Sequence, residues 1–397
     1  VNVLVFASRA EKPVIDEKER ASYYKKFERD GFQPPKDRIV VLGGCSLTKL
    51  RQSGKYEWGR IRCAKNVTVL PLYLPGVPIL RHFFLFIQQL LTGIWAIKNE
   101  RIQVLYCPVP ITPVVTLLKR LFNLPLIVRV QADSAYVLYH IHGKRILAYF
   151  RLFCEKTMFK AADLVLPMSH FTARYAVKHG ANPDRVIFQP FKILDLDCAK
   201  NADGGAVRRL HGISRENPLV LCIARLVPEK GLTHLLHAMR IVKGSIPDAV
   251  LLIVGNGPLE NTLKALAHRL NLSDSVFFVG QVRHRDIWHY IAACDTLVLP
   301  SIWPEGLGIV LIEAMLMKKP VIGSKIGGIN DVIIDGKNGY LVPPGEVREL
   351  ADRIIRLLSD QELSFKFGEE GEKIAREYAG QFKTIEDMLP IFPTVGE

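Results

Sequence analysis

The feature that most constrains this chain is an alternation between short β-branched runs and longer stretches with helical spacing. The first half holds "VNVLVFAS", "RIVVLGG", "VTVLPLY", "VLYCPV", "PLIVRVQ", "DLVLPMS" and "RVIFQP". The second holds "PLVLCIAR", "AVLLIVGNG", "SVFFVGQ", "DTLVLPS", "KPVIGSK" and "GYLVPPG". All read as strands buried on both faces. Residues 80–98, 145–160, 232–242, 259–270 and 307–317 carry apolar side chains at helical spacing. Strands separated by helices build parallel sheets through right-handed crossovers. Two such series occur. Between them lies "DLDCAKNADGGAVRRLHG", polar and without an apolar period, which reads as a linker near residues 195–212. The expectation is an α/β chain of two doubly wound parallel-sheet domains facing across a cleft, with ligands at the carboxyl ends of the strands.

A chain of 397 residues is long enough for two such domains. With 49% of its residues apolar it is not a disordered chain. Seven cysteines, at 45, 63, 107, 154, 198, 222 and 294, form no CxxC pair and suit a reducing, cytoplasmic compartment. Residues 1–7 are too short an apolar run for a secretory signal. No run reaches the ~20 apolar residues that span a bilayer. The net charge of +14 is uneven: residues 1–200 hold 31 Lys and Arg against 15 Asp and Glu. That excess suggests an anionic neighbour, with a solvated lysine-rich surface as the alternative. The charge is diffuse and lacks a recognisable nucleic-acid module, so no nucleic-acid partner is expected. An anionic membrane surface, bound peripherally on its inner face, fits better. The aromatic-rich "PILRHFFLFIQQLLTGIWAIK" suits either a membrane interface or the core of the first domain.

The residues that carry chemistry cluster at the strand ends of the second half. "CIARLVPEKG" puts Arg225 just after a strand and Lys230 beyond a turn, two cations suited to an anion. "LLIVGNGPLE" ends another strand on Gly255 and Gly257, a turn that also occurs without any ligand. "LVLPSIWPEGLGIVLIEAMLM" raises a sharper question, because it keeps Glu305 and Glu313 in an apolar stretch. A carboxylate there is costly unless something polar meets it. The first amides of the helix beginning near Leu307, from Gly306 and Leu307 to Gly308 and Ile309, suit a phosphate or oxyanion. Each glutamate can accept from a pair of vicinal hydroxyls. A diphosphate with a sugar ring at each end, the shape of a nucleotide sugar, satisfies all of these groups together.

At this point the sequence resembles the GT-B glycosyltransferases of the family 4 type. The likeness is carried by "ARLVPEKGL", "VGNGP", "VFFVGQV", "PSIWPEGLGIVLIEAM", "KPVIGSKIGGINDVI" and "GKNGYLVPPGE", in that order. It is clearest over residues 219–344, and Glu305 and Glu313 have the spacing of the family's E-x7-E motif. The resemblance implies two Rossmann-like domains: 1–203 for the acceptor, 204–375 for the nucleotide sugar, and a helix over 376–397 packing back on the first. It implies a UDP- or GDP-sugar donor, a glycan or lipid-linked acceptor, retention of configuration, and no metal or other cofactor. Arg225 and Lys230 would bind the diphosphate and Glu313 the ribose. Glu305 would contact the transferred sugar. The amides of Gly306, Leu307, Gly308 and Ile309 would line sugar and phosphate. Gly255 and Gly257 would lie at the donor. The backbone from Gly280 to Val282 would lie near the base, and Gly327 and Gly328 would close the pocket floor. The Asp195–Asp197 pair need not bind metal.

The first half departs from the family pattern. "VFASRAEKPVID" lacks the glycine pair that relatives often have after the first strand. Where relatives often carry a histidine, the alignment of "LPLIVRVQADSAY" places Gln131. Asp133, two residues on, is the candidate to orient the acceptor or share its proton; a capping Asp is the alternative. His140 and His142 are weaker candidates. A dinucleotide-dependent oxidoreductase would need G-x-G-x-x-G after the first strand, which "FASRAE" does not offer. A sugar-nucleotide epimerase of the same fold remains the alternative enzyme.

Overall fold

The computed structural model describes residues 2–6, 38–45, 61–64, 67–73, 78–108, 113–131, 145–193 and 196–384. The chain divides into two compact units, Val1–Lys192 with Gln381–Glu397, and Ile193–Gly380.

The first unit is built on β1 (Asn2–Phe6), β2 (Arg38–Cys45), β3 (Ile61–Ala64), β4 (Val67–Tyr73), β5 (Val104–Cys107), β6 (Leu126–Val130) and β7 (Leu164–Pro167). Their order in the sheet is β3-β4-β2-β1-β5-β6-β7. All pairings are parallel except that of β3 with β4. The short "IRCA" of β3 has too few residues to show a period. Around the sheet run α1 (Pro78–Glu100), α2 (Val114–Phe122), α3 (Arg145–Ala161) and α4 (His170–Lys178). Every residue of β6 is buried, including Arg129. Its guanidinium donates to the carbonyls of Gln189 (3.3 Å) and Pro190 (3.2 Å) and lies 4.0 Å from the centre of the Phe191 ring. A buried cation is tolerated when acceptors and a ring face meet it.

Two expectations are corrected here. "RVIFQP" is not a strand: it makes a single bridge, Val186 to Val165, and two further backbone bonds to β7. A 3₁₀ turn at Pro183–Arg185 and the missing N–H of Pro190 leave too little chain for a ladder. The supposed linker is largely helical, as α5 (Leu196–Lys200) and α6 (Gly204–Leu210). Asp203 caps α6 by accepting from Ala206 N (2.9 Å). Arg208 donates to the carbonyls of Ala293 (3.0 Å) and Asn217 (2.8 Å) and pairs with Asp295 (3.1 Å). The run lacks an apolar period because only Val207 of its two helices is buried, and hydrogen bonds of Asp203 and Arg208 hold it in place.

The second unit holds β8 (Leu219–Ile223), β9 (Val250–Val254), β10 (Val276–Gly280), β11 (Thr296–Leu299), β12 (Val321–Ser324) and β13 (Gly339–Val342). They form an all-parallel sheet in the order β10-β9-β8-β11-β12-β13. Its helices are α7 (Leu232–Ser245), α8 (Glu260–Arg269), α9 (Ile287–Ala293), α10 (Ile309–Leu316), α11 (Ile329–Val332), α12 (Val347–Ser359) and α13 (Gln361–Gly380). Leu235, Leu236 and Met239 of α7 share a buried cluster with Leu350, Ile354 and Leu357 of α12 and with β8 and β9. That spacing of apolar residues is what seats both helices on the sheet. The chain winds outward from β8 to β10, then returns to β11 on the other side. The reversal leaves a topological switch point between β8 and β11, where ligands of such sheets bind.

After Gly380 the chain belongs to the first unit. There Lys383 exchanges hydrogen bonds with the Gln189 side chain, accepting from Nε2 and donating to Oε1 (3.4 Å). The helix expected over 376–397 ends at Gly380, and residues 381–384 are irregular. Among the described residues no helix is long and apolar enough to cross a membrane.

Candidate active site

The loops at the carboxyl edge of the second sheet are knitted to one another. Leu226 N, after β8, donates to Asn256 O after β9 (2.9 Å), and Gly255 N donates to Gly280 O at the end of β10 (2.8 Å). Ile302 N, after β11, donates to Glu229 O (3.0 Å), and Gly328 N, after β12, donates to Glu305 O (2.8 Å). Five strand ends thus hold one continuous edge, with the switch point at its middle.

Lys230 and Glu305 meet there. The ammonium of Lys230 pairs with Oε1 of Glu305, and each side chain is 17% exposed. Ser301, fully buried at the end of β11, donates its hydroxyl to the same oxygen. The left-handed Gly231 (φ 65°) ends the short turn Pro228–Lys230 and starts α7, which brings Lys230 across to the β11 loop. Immediately after Glu305, the buried Gly306 and Leu307 lead into Gly308, the cap residue of α10. Gly308 has no side chain to cap the first amides of α10, so the positive end of this helix, which begins four residues after Glu305, is not met by a capping side chain. The helix begins at Ile309, not at Leu307.

Glu313 lies on the same helix and is 4% exposed. Its Oε1 is 2.9 Å from Nε2 of His284, which follows β10. Gly280 and Val282 lie on that same segment, and Asn256 Nδ2 donates to Gln281 Oε1 across to the β9 loop (3.0 Å). The side chain of Arg225 is exposed and, among the described residues, makes no hydrogen bond or ion pair; its carbonyl accepts from Val227 N (2.9 Å). It stands at the end of β8, with its charge available to a ligand.

The structure therefore brings Arg225, Lys230, Glu305, Glu313 and the turns at Gly255, Gly257, Gly280 and Gly306–Ile309 to one sheet edge. A Cβ at Gly255 (φ 138°) would lie 1.9 Å from Ala224 O. Close packing of neighbouring loops already demands that glycine. Asp133, His140, His142 and Asp195 lie outside the described residues. Asp197 is exposed and pairs with Lys200 (3.2 Å). Among the described residues no group of three or more His, Cys, Asp or Glu side chains is placed to hold a metal ion. The sequence had not singled out Ser301 or His284. "LPS" directly before "IWPEG", and a histidine soon after "VFFVGQ", were the available signs.

Two family models match in tandem: "Glycosyl transferase 4-like domain" over residues 38–191 and "Glycosyl transferases group 1" over residues 206–374. The alpha-D-kanosaminyltransferase of Streptomyces kanamyceticus is 30% identical over 259 residues, which is 64% of this chain and 66% of that protein. The GDP-mannose-dependent monoacylated alpha-(1-6)-phosphatidylinositol monomannoside mannosyltransferase of Corynebacterium glutamicum is 37% identical over 164 residues, 40% of this chain and 42% of that protein. The matched stretches thus span less than two thirds of these relatives' own length. Among solved structures, Anabaena Alr3699/HepE in complex with UDP and glucose superposes with a TM-score of 0.69 at 21% identity, covering 98% of each chain. The tandem domain models and the shared architecture place this chain among the GT-B glycosyltransferases of the family 4 type.

Proposed function

We propose that the second unit binds a UDP- or GDP-sugar. The hexosyl unit then passes to a glycan or lipid-linked acceptor on the first unit, with retention of configuration and without a metal. The observation that carries this reading is the Lys230–Glu305–Ser301 cluster beside the uncapped amides of α10. As the bond between the anomeric carbon and the diphosphate breaks, negative charge builds on the leaving phosphate. Lys230, Arg225 and the helix-terminus amides offer fixed positive charge where it develops. Preorganised stabilisation of this kind often contributes more to catalysis than any other single effect. Glu305 and Glu313 act as the two carboxylates of the E-x7-E motif, Glu305 toward the sugar and Glu313 toward the ribose. The kanosaminyltransferase and the GDP-mannose-dependent relatives support a transferase with a nucleotide-sugar donor. The epimerase alternative has no such support.

A screen of UDP- and GDP-sugars, scored by release of free nucleotide with and without EDTA, tests the reading. Release that depends on one donor and persists in EDTA is expected. No release with any donor, or its loss in EDTA, contradicts the corresponding part. Asp133→Asn is expected to slow transfer, and full transfer by this variant would remove Asp133 from the reaction.

His284 fixes one oxygen of Glu313 and so orients the other. His284→Ala is expected to raise the donor KM about fivefold with little change in kcat, the cost of roughly one hydrogen bond used in binding. An unchanged KM would show that Glu313 needs no such partner.

A further inference from the structure

The amino edge of the second sheet carries a pocket of about 600 Å³, a volume that suits one small molecule. Arg208 and Arg209 of α6, Arg215, Asp295 before β11 and Lys319 before β12 line it, with the buried Ile213 as an apolar wall. Asp295 and Ser301 flank β11 at opposite ends. At about 3.3 Å per residue of extended chain, this pocket stands roughly 20 Å from the Lys230–Glu305 pair.

Four cations thus face one carboxylate. Two of the four have a structural task. Lys319 Nζ donates to the carbonyls of Ala292 (3.0 Å) and Cys294 (2.7 Å), and Arg208 Nε donates to Ala293 O (3.0 Å). Holding the carboxyl end of α9 accounts for both charges. It does not account for Arg209 and Arg215. Arg209 pairs with Asp203 at 3.4 Å, where the side chains are 75% and 57% exposed, so the contact contributes little. The side chain of Arg215 is exposed and, among the described residues, makes no hydrogen bond or ion pair. Asp295 is half engaged: its Oδ2 accepts from Leu219 N (2.7 Å) and Arg208 (3.1 Å), while Oδ1 has no hydrogen bond among the described residues.

We propose that this pocket is a second small-molecule site and takes a phosphate ester bearing hydroxyls, of the sugar phosphate class. Arg209 and Arg215 hold the phosphate through charge-assisted hydrogen bonds, the contact for which a guanidinium is best shaped. Oδ1 of Asp295 accepts from a hydroxyl. A bare anion would set its charge against that carboxylate, whereas a hydroxyl turns it into a partner. The inference does not depend on the donor site.

The test is calorimetric titration of the full chain with glucose 6-phosphate, inorganic phosphate and glucose, each with UDP and GDP present to fill the donor edge. Glucose 6-phosphate is expected to bind, inorganic phosphate more weakly, and glucose not detectably. Arg209→Ala/Arg215→Ala should weaken the ester by at least about tenfold, from the loss of two charge-assisted contacts. Both side chains are at the surface, so the melting temperature and nucleotide binding of this variant should match the parent. Arg215→Ala alone should weaken the ester in the same direction. Lys230→Ala should bind it as the parent does. No binding of glucose 6-phosphate, or equal binding by the double arginine variant, would overturn the proposal. So would its loss in Lys230→Ala, which would put the ester at the donor edge. Inorganic phosphate binding as tightly as the ester would overturn the assignment to this class. Absence of nucleotide binding, with the ester behaving as expected, would instead count against the donor reading.

Discussion

Lys230→Ala is expected to lower kcat by roughly 10²–10³ with the fold intact, the usual cost of removing one preorganised donor from a developing anion. The variant should fold because the partner left behind is not stranded. Glu305 keeps the Ser301 hydroxyl, and at 17% exposure it still reaches water. Glu305→Ala should lose a comparable amount, for a different reason: it removes the acceptor for sugar hydroxyls and frees Lys230 from its fixed position. Because the two side chains touch, their effects should not add. The double variant is expected to be little worse than either single one, as for groups that act as a unit. Steady-state nucleotide release, with circular dichroism as the control for folding, checks all three. Near-normal turnover by either single variant would remove that residue from the proposed chemistry.

The second large effect is expected at Gly328, which no side chain contact would reveal. A Cβ there would stand 2.1 Å from Gly306 O and 2.9 Å from Leu307 Cα, both backbone atoms that cannot swing aside. Gly328 N also donates to Glu305 O (2.8 Å). Gly328→Ala must therefore push the segment carrying Glu305 and the entrance to α10 away from the β12 loop. We expect a loss of at least about 2 kcal/mol from this unit, in line with other strained core substitutions. In a unit of this size that corresponds to a fall of about 4–8 °C in melting temperature. Turnover should fall by about 100-fold, because displacing a positioned group by an ångström is that costly. Gly244→Ala is the control. It lies in α7 with no atom within 4 Å of its would-be Cβ, so it should be neutral or stabilising by up to about 1 kcal/mol. Equal melting temperatures for the two variants would contradict this account of the β11–β12 contact.

The six strands of the second sheet were legible because each is a compact apolar run between glycine- or proline-bearing turns, as "AVLLIVGNG" and "DTLVLPS" show. Glu305 stood out for the same reason: a carboxylate in an apolar stretch asks for a partner, and Lys230 is that partner. His284 and Ser301 did not stand out, since a hydroxyl or an imidazole near a strand end is common and only folding shows which carboxylate it meets. The stretch at 195–212 misled because only Val207 of its two helices is buried, so no apolar face announces them, while hydrogen bonds of Asp203 and Arg208 hold α6 in place. "RVIFQP" carries strand-forming residues, but the turn before it and Pro190 after it override them.

The central claim is that the carboxyl edge of the second sheet binds a nucleoside diphosphate through Arg225 and Lys230. Calorimetric titration of the full chain and of Arg225→Ala/Lys230→Ala with UDP, GDP and the corresponding monophosphates tests it most directly. The account predicts that the parent binds one of the diphosphates more tightly than its monophosphate. It also predicts that the double variant loses that preference together with at least about tenfold in affinity, as expected when charge-assisted contacts are removed. Equal binding by parent and double variant, or no diphosphate binding by the parent at all, would contradict it.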